Sequence, residues 1–169
     1  MKFSALIISA LLLFACNKSN QNASLKVRMT DAPGDFQEVN VEVKEFRVHY
    51  SEEGWVNLAT NAGVYDLLRL QDSISVVLVE DGEIPPGKIT QVRLVLGESN
   101  NVKVDDAYYY LEIPSGETSG LKINLKTTLE ADESYDILLD FDANQSVSGD
   151  TTDGFKLKPV IKVESVTKL

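Results

Sequence analysis

Alternation of apolar and polar residues with a period of two recurs along this chain, and few patterns restrict a fold more tightly. Leu25, Val27 and Met29 alternate with Lys26, Arg28 and Thr30, and Leu121, Ile123 and Leu125 alternate with Lys122, Asn124 and Lys126. Val92, Leu94 and Leu96 lie opposite Gln91 and Arg93, while Tyr135, Ile137, Leu139 and Phe141 face away from Asp136, Asp140 and Asp142. Successive side chains of a strand point to opposite faces, so each run predicts a strand with one face buried. Turn chemistry separates the runs at Asp31–Gly34, Ser51–Gly54, Pro85–Gly87, Glu98–Asn101 and Pro114–Gly116. Helical periodicity is scarce, and only Tyr65 to Leu70 suits a turn or two. The expectation is an all-β fold: an antiparallel β-sandwich of about eight or nine strands.

Two details sharpen it. From Val39 to Tyr50 the phase flips near Lys44-Glu45, with Val39, Val41 and Val43 before the flip and Phe46, Val48 and Tyr50 after it. One extra residue reverses the facing of everything that follows, so a β-bulge there would turn both trios into the core. Near the C-terminus, Ser134–Asp142 and Phe155–Val163 are expected to pair antiparallel, with Asp142 opposite Lys156, Asp140 opposite Lys158 and Asp136 opposite Lys162. Such pairs contribute only roughly 0.2–1 kcal/mol each. Pro159 cannot donate to a ladder, so one side of that strand must be an edge or carry a bulge.

The first residues have a different character. Lys2 precedes an apolar run from Phe3 to Phe14 that ends at Ala15 and Cys16, followed by the polar stretch Asn17 to Asn22. The run is shorter than the roughly 20 residues a spanning helix needs, and reads as a signal peptide over 1–15. Leu13-Phe14-Ala15-Cys16 resembles the bacterial lipobox, in which the thiol is diacylated and the chain is cut before it; Phe14 is bulkier than the pattern's usual residue. The resemblance implies a membrane anchor at Cys16, and Asn17 after it implies the outer membrane of a Gram-negative envelope. Two or three acyl chains suffice for lasting attachment, whereas one is marginal. Residues 16–24 then read as the lipidated cysteine and a flexible tether, and 25–169 as one domain. Cys16 is the only cysteine, so its acylation leaves no disulfide and no thiol nucleophile. The formal charge of −10 argues against nucleic acid and against adsorption on anionic headgroups.

The stretches "MTDAPGDFQEVNVEVKEFRVHY", "GVYDLLRL", "PPGKITQVRLVLG", "SGLKINL", "YDILLDFDANQSV" and "FKLKPVIKV", which cover most of residues 29–163, resemble the bacterial lipoprotein family known as domain of unknown function 4382. The resemblance implies a transthyretin-like or carboxypeptidase-regulatory-like β-sandwich and an envelope location. It implies no activity.

Candidate chemistry is sparse. His49 is the only histidine, and no serine and acid pair is placed by the sequence to complete a triad with it; one histidine and no free cysteine also make a poor zinc site. Asp140, Asp142 and Asn144 offer oxygen ligands at alternate positions, like the opening of a calcium loop, but Gln145 replaces the sharp-turn glycine and Thr151 the closing glutamate. Asp31, before Ala-Pro, is either a further ligand or the acceptor of an Asx turn. Aromatic residues give the other surface: Tyr50 and Trp55 flank a hairpin turn, and Tyr108-Tyr109-Tyr110 puts rings on both faces of one strand. Rings with polar tips suit sugars and peptides, and also serve as cross-strand packing. The reading is a non-catalytic, lipid-anchored envelope module that binds a glycan, peptide or protein, with no cofactor unless calcium. The alternatives are an assembly component pairing through an edge strand, or a calcium-stabilised adhesion module.

Overall fold

A computed structural model describes residues 22–32, 34–51, 54–114 and 120–169. Cys16 and the segment before it lie outside the described residues. In chain order the strands are β1 (Ala23–Thr30), β2 (Glu38–Tyr50), β3 (Gly54–Leu58), β4 (Gly63–Asp66), β5 (Val76–Ile84), β6 (Gly87–Leu96), β7 (Asn101–Val104), β8 (Ala107–Glu112), β9 (Leu121–Leu129), β10 (Ser134–Phe141), β11 (Val147–Asp150), β12 (Gly154–Leu157) and β13 (Ile161–Lys168). Two sheets face each other. One has the order β13-β10-β1-β5; the other runs β11-β12-β8-β7-β2-β6-β9, with β3 and β4 both paired to the free flank of β2. The expected all-β sandwich is what forms, with Leu25, Met29, Phe46, Leu94, Ile137 and Phe141 fully buried between the layers.

The sheets are mixed rather than purely antiparallel: β1 runs parallel to β10, and β12 parallel to β8. Alternation places residues on faces but is indifferent to strand direction. The strand count exceeds the expected one because long strands are interrupted. β6 and β7 lie in line along one flank of β2, and β3 and β4 along the other. Strand β1 also begins at Ala23, whose side chain is buried, so Ala23 and Ser24 belong to the sheet and not to the tether.

The bulge in β2 forms where the phase flip requires it. Val43 lies opposite Leu96 and Glu45 opposite Val95, leaving Lys44 as the extra residue, exposed to solvent. Both trios, Val39-Val41-Val43 and Phe46-Val48-Tyr50, enter the core as a result.

The C-terminal register differs from expectation. Phe155–Val163 is two strands in two sheets, β12 and β13, and β13 pairs with β10 so that Asp140 meets Lys162, Asp136 meets Thr167 and Phe141 meets Ile161. Lys156 instead lies opposite Ser148. Pro159 is the break. On either side of it the Lys158 amide donates to the Ser146 carbonyl at 2.8 Å and the Val160 amide to Ser146 Oγ at 2.8 Å, so backbone groups leaving one sheet are satisfied before the chain joins the other. Among the described residues helix is confined to two turns. Leu67–Leu70 is a 3-10 turn capped by Asp66, within the segment expected to allow one; Ala143–Ser146 is a second, capped by Asp142. Among the described residues no helix is long and apolar enough to cross a membrane.

Candidate functional site

The outer face of the larger sheet gathers the expected aromatic residues, but not all in one role. Inward and outward positions alternate along β8, so Tyr109 turns in against the Phe155 ring, 5.4 Å between centroids, while Tyr108 and Tyr110 turn outward. These two residues are 59 % and 61 % exposed. Tyr50 does not join them. It is 4 % exposed, sits in the core with Phe46 and Val48, and its hydroxyl donates to the Pro85 carbonyl at 2.6 Å. Trp55 is half-buried at the far end of the same face, with His49 edge-on at 4.9 Å and the Arg93 guanidinium 4.3 Å above its ring. Its two neighbours occupy it, so it is not a free platform.

Tyr108 is held by partners that the sequence did not single out. Its hydroxyl donates to both carboxylate oxygens of Glu38, at 3.1 and 3.0 Å, and the Lys103 ammonium lies 5.6 Å from its ring centre. Lys103 also pairs with Glu38 at 3.4 Å. The Tyr108 hydroxyl, then the Asn40 amide and Lys103, stabilise the Glu38 carboxylate and lower its pKa, while the same hydrogen bond raises that of the Tyr108 hydroxyl. Beside them the Asn40 amide donates to Asn101 at 3.0 Å, and Asn101 lies directly across the ladder from Tyr110. Two shallow depressions flank this cluster. One, of about 500 Å³, includes Phe36, Lys103 and Asp105; the other, of about 410 Å³, includes Glu38, Asn40, Asp66 and Arg69. The signal was present, because β2 and β7 alternate and their outward residues are predictable. What the sequence could not supply was the pairing of β7 with both β2 and β8.

The calcium candidates take separate roles. Asp140 Oδ2 pairs with Lys162 at 3.0 Å, the Asp142 side chain caps the Ala143–Ser146 turn through the Gln145 amide at 2.8 Å, and Asn144 is exposed. Asp140 and Asp142 are thus engaged with separate partners, and the chain turns helical at Ala143 instead of entering a ligand loop. Among the described residues no group of three or more histidine, cysteine, aspartate or glutamate side chains could hold a metal. Asp31 Oδ1 accepts from the Ala143 amide at 2.8 Å, a partner far along the chain. His49 Nδ1 lies 2.8 Å from Thr90 Oγ1.

The family model described as domain of unknown function (DUF4382) matches residues 22–159. No curated protein and no solved structure matches the chain.

Proposed function

The chain belongs to the DUF4382 family, and from that premise we propose that it is a non-catalytic binding module, held at the cell envelope by acylated Cys16, which takes a glycan on its tyrosine face. The observation that carries the reading is the pair of outward rings on β8, Tyr108 and Tyr110, more than half exposed and flanked by hydrogen-bonding groups. An exposed aromatic ring stacks on the C–H face of a sugar, and amides and carboxylates beside it bind hydroxyls. Glu38 fixes the Tyr108 ring before a ligand arrives, which reduces the ordering cost of binding. Asn40 and Asn101 supply donors and acceptors next to Tyr110.

Assembly through an edge strand has less support. The smaller sheet ends on β13, which carries Lys162, Glu164 and Lys168 in ion pairs, and charged edges discourage strand addition.

The test is a panel of envelope glycans presented to the full chain, its Tyr108→Ala/Tyr110→Ala variant and its Tyr109→Phe variant. Retention by the wild type and by Y109F, with at least about tenfold weaker retention of the double alanine variant, is the expected result. Silence with every glycan, or equal retention of all three, overturns it. The anchor is tested separately by fractionation: the wild type should partition with membranes and Cys16→Ser with the aqueous phase, and an unmodified thiol on wild-type protein overturns that part.

A further inference from the structure

At the opposite end of the same sheet face, three cations stand in one cross-strand row. The registers place Arg47 on β2 directly opposite Arg93 on β6, and Arg93 directly opposite Lys122 on β9. Neighbouring strands are about 4.8 Å apart, so the row brings three positive charges within roughly 10 Å. Like charges directly opposite one another destabilise a sheet, and this row lies in a chain with 26 acidic residues against 16 basic ones.

Among the described residues a single carboxylate pairs with the row. Arg47 pairs with Glu45 at 2.6 Å. Arg93 and Lys122 make no ion pair among the described residues, and the buried Arg93 Nε has no hydrogen-bond partner among them. Buried donors are normally satisfied, and an unmade bond at a guanidinium costs more than one at a neutral group. The Arg93 guanidinium is nevertheless fixed in place by its position over the Trp55 ring. An orientated fork between two further cations is a receptor for an oxyanion, since guanidinium and carboxylate or phosphate pair bidentately.

The surroundings narrow the ligand. In the same row Asn57 follows Arg47, and in the adjoining row Gln91 and Asn124 lie opposite each other and share a hydrogen bond at 3.2 Å. These neutral amides suit hydroxyl groups. A polyanion or an anionic bilayer would be repelled by the net charge of −10, whereas a single acid group on an otherwise neutral ligand would meet mainly the local cations. We propose that Arg47, Arg93 and Lys122 form a site for the acid group, carboxylate or phosphate, of an acidic saccharide. The site is separate from the tyrosine face: Arg47 lies nine residues along β2 from Glu38, on the order of 30 Å.

The test uses the full chain on immobilised galactose oligomers that each carry one galacturonate, glucuronate or hexose-phosphate unit, with unmodified neutral galactose oligomers and free inorganic phosphate as the other arms. The expected result is retention on at least one acidic oligomer, weakening between about 50 mM and about 500 mM salt. Neutral oligomers should not be retained through this site, and free phosphate should compete only weakly. Lys122→Glu changes an exposed side chain and should weaken retention at least about tenfold, as should Arg93→Lys, which keeps the charge and loses the fork. Tyr110→Ala should leave acidic-oligomer retention unchanged, which separates this site from the glycan reading above. No retention on any acidic oligomer, retention unaffected by Lys122→Glu, or phosphate binding as tight as the oligomers overturns the proposal.

Discussion

The Asp31 carboxylate and the Ala143 backbone amide, 112 positions apart in the chain, meet in a hydrogen bond of 2.8 Å that fastens the end of β1 to the helical turn after β10. Burial pushes the Asp31 carboxyl up to about 6, against the lowering effect of the Ala143 amide and the Gln71 side chain, and the Asp140 and Asp142 carboxylates raise it further. Between about pH 4 and pH 6 the folded protein therefore holds a proton that the unfolded chain has released. By linkage, the stability associated with this group is fully present below about pH 4 and declines as pH rises through about 6. Asn at this position still accepts from the Ala143 amide and does not titrate. Thermal unfolding of wild type and Asp31→Asn from pH 4 to pH 7 should show the variant gaining on the wild type as pH rises. Parallel curves would refute this.

Arg28 and Asp136 make the most enclosed ion pair in the smaller sheet, with Nε 3.0 and 2.9 Å from the two carboxylate oxygens and the Asp136 side chain only 12 % exposed. Arg28 also donates to Ser75 Oγ at 3.2 Å. Removing one partner leaves the other desolvated and uncompensated, which costs more than the pair itself contributes. Asp136→Ala should lower stability by about 1–3 kcal/mol, read as a lower urea midpoint at unchanged slope. The double variant with Arg28→Met should recover part of that loss, and a double variant as unstable as the sum of the singles would show that the two do not interact.

Lys44 exists to change parity. Its side chain is exposed, so Lys44→Ala should alter stability by less than about 0.5 kcal/mol. Deleting Lys44 removes the extra residue and would turn Phe46, Val48 and Tyr50 outward while driving Glu45, Arg47 and His49 into the core. Far-UV circular dichroism and a melting curve should show a native-like alanine variant and an unfolded deletion. A folded deletion would mean that the bulge can migrate along β2.

The contrast between β2 and the C-terminus marks what was legible in the letters. The bulge could be read because parity is a local property, and the outward facing of Tyr108 and Tyr110 followed from the same rule. Tyr50 was legible too: its place with Phe46 and Val48 puts it in the core, at odds with its role as a surface ring. The partners of a strand are non-local. Nothing in Leu25, Val27 and Met29 says that β1 runs parallel to β10. Nor does anything in Phe155–Val163 say that Pro159 separates two sheets instead of interrupting one strand. The break between β6 and β7 depends on Asn100, whose buried side chain accepts from the Glu42 amide at 2.9 Å and donates to the Gly97 carbonyl at 2.7 Å, replacing ladder bonds with side-chain ones. The cation row required the register of three strands at once, so its members looked like ordinary solvated charges.

Tyr50 and Tyr110 separate packing from recognition in a single comparison. The Tyr50 ring is enclosed and its hydroxyl serves the Pro85 carbonyl in the turn that carries the chain from β5 in the smaller sheet to β6 in the larger, so Tyr50→Phe deletes that buried hydrogen bond and keeps the ring. The expected loss is about 1 kcal/mol of stability, with glycan retention unchanged. Tyr110 is largely solvated, so Tyr110→Ala removes little buried area and should leave the melting temperature within about 2 °C while weakening glycan retention. Chemical denaturation and the glycan panel, run on both variants, decide the matter. Loss of retention in Y50F at native stability, or a large melting shift in Y110A, would exchange the roles assigned to the two rings.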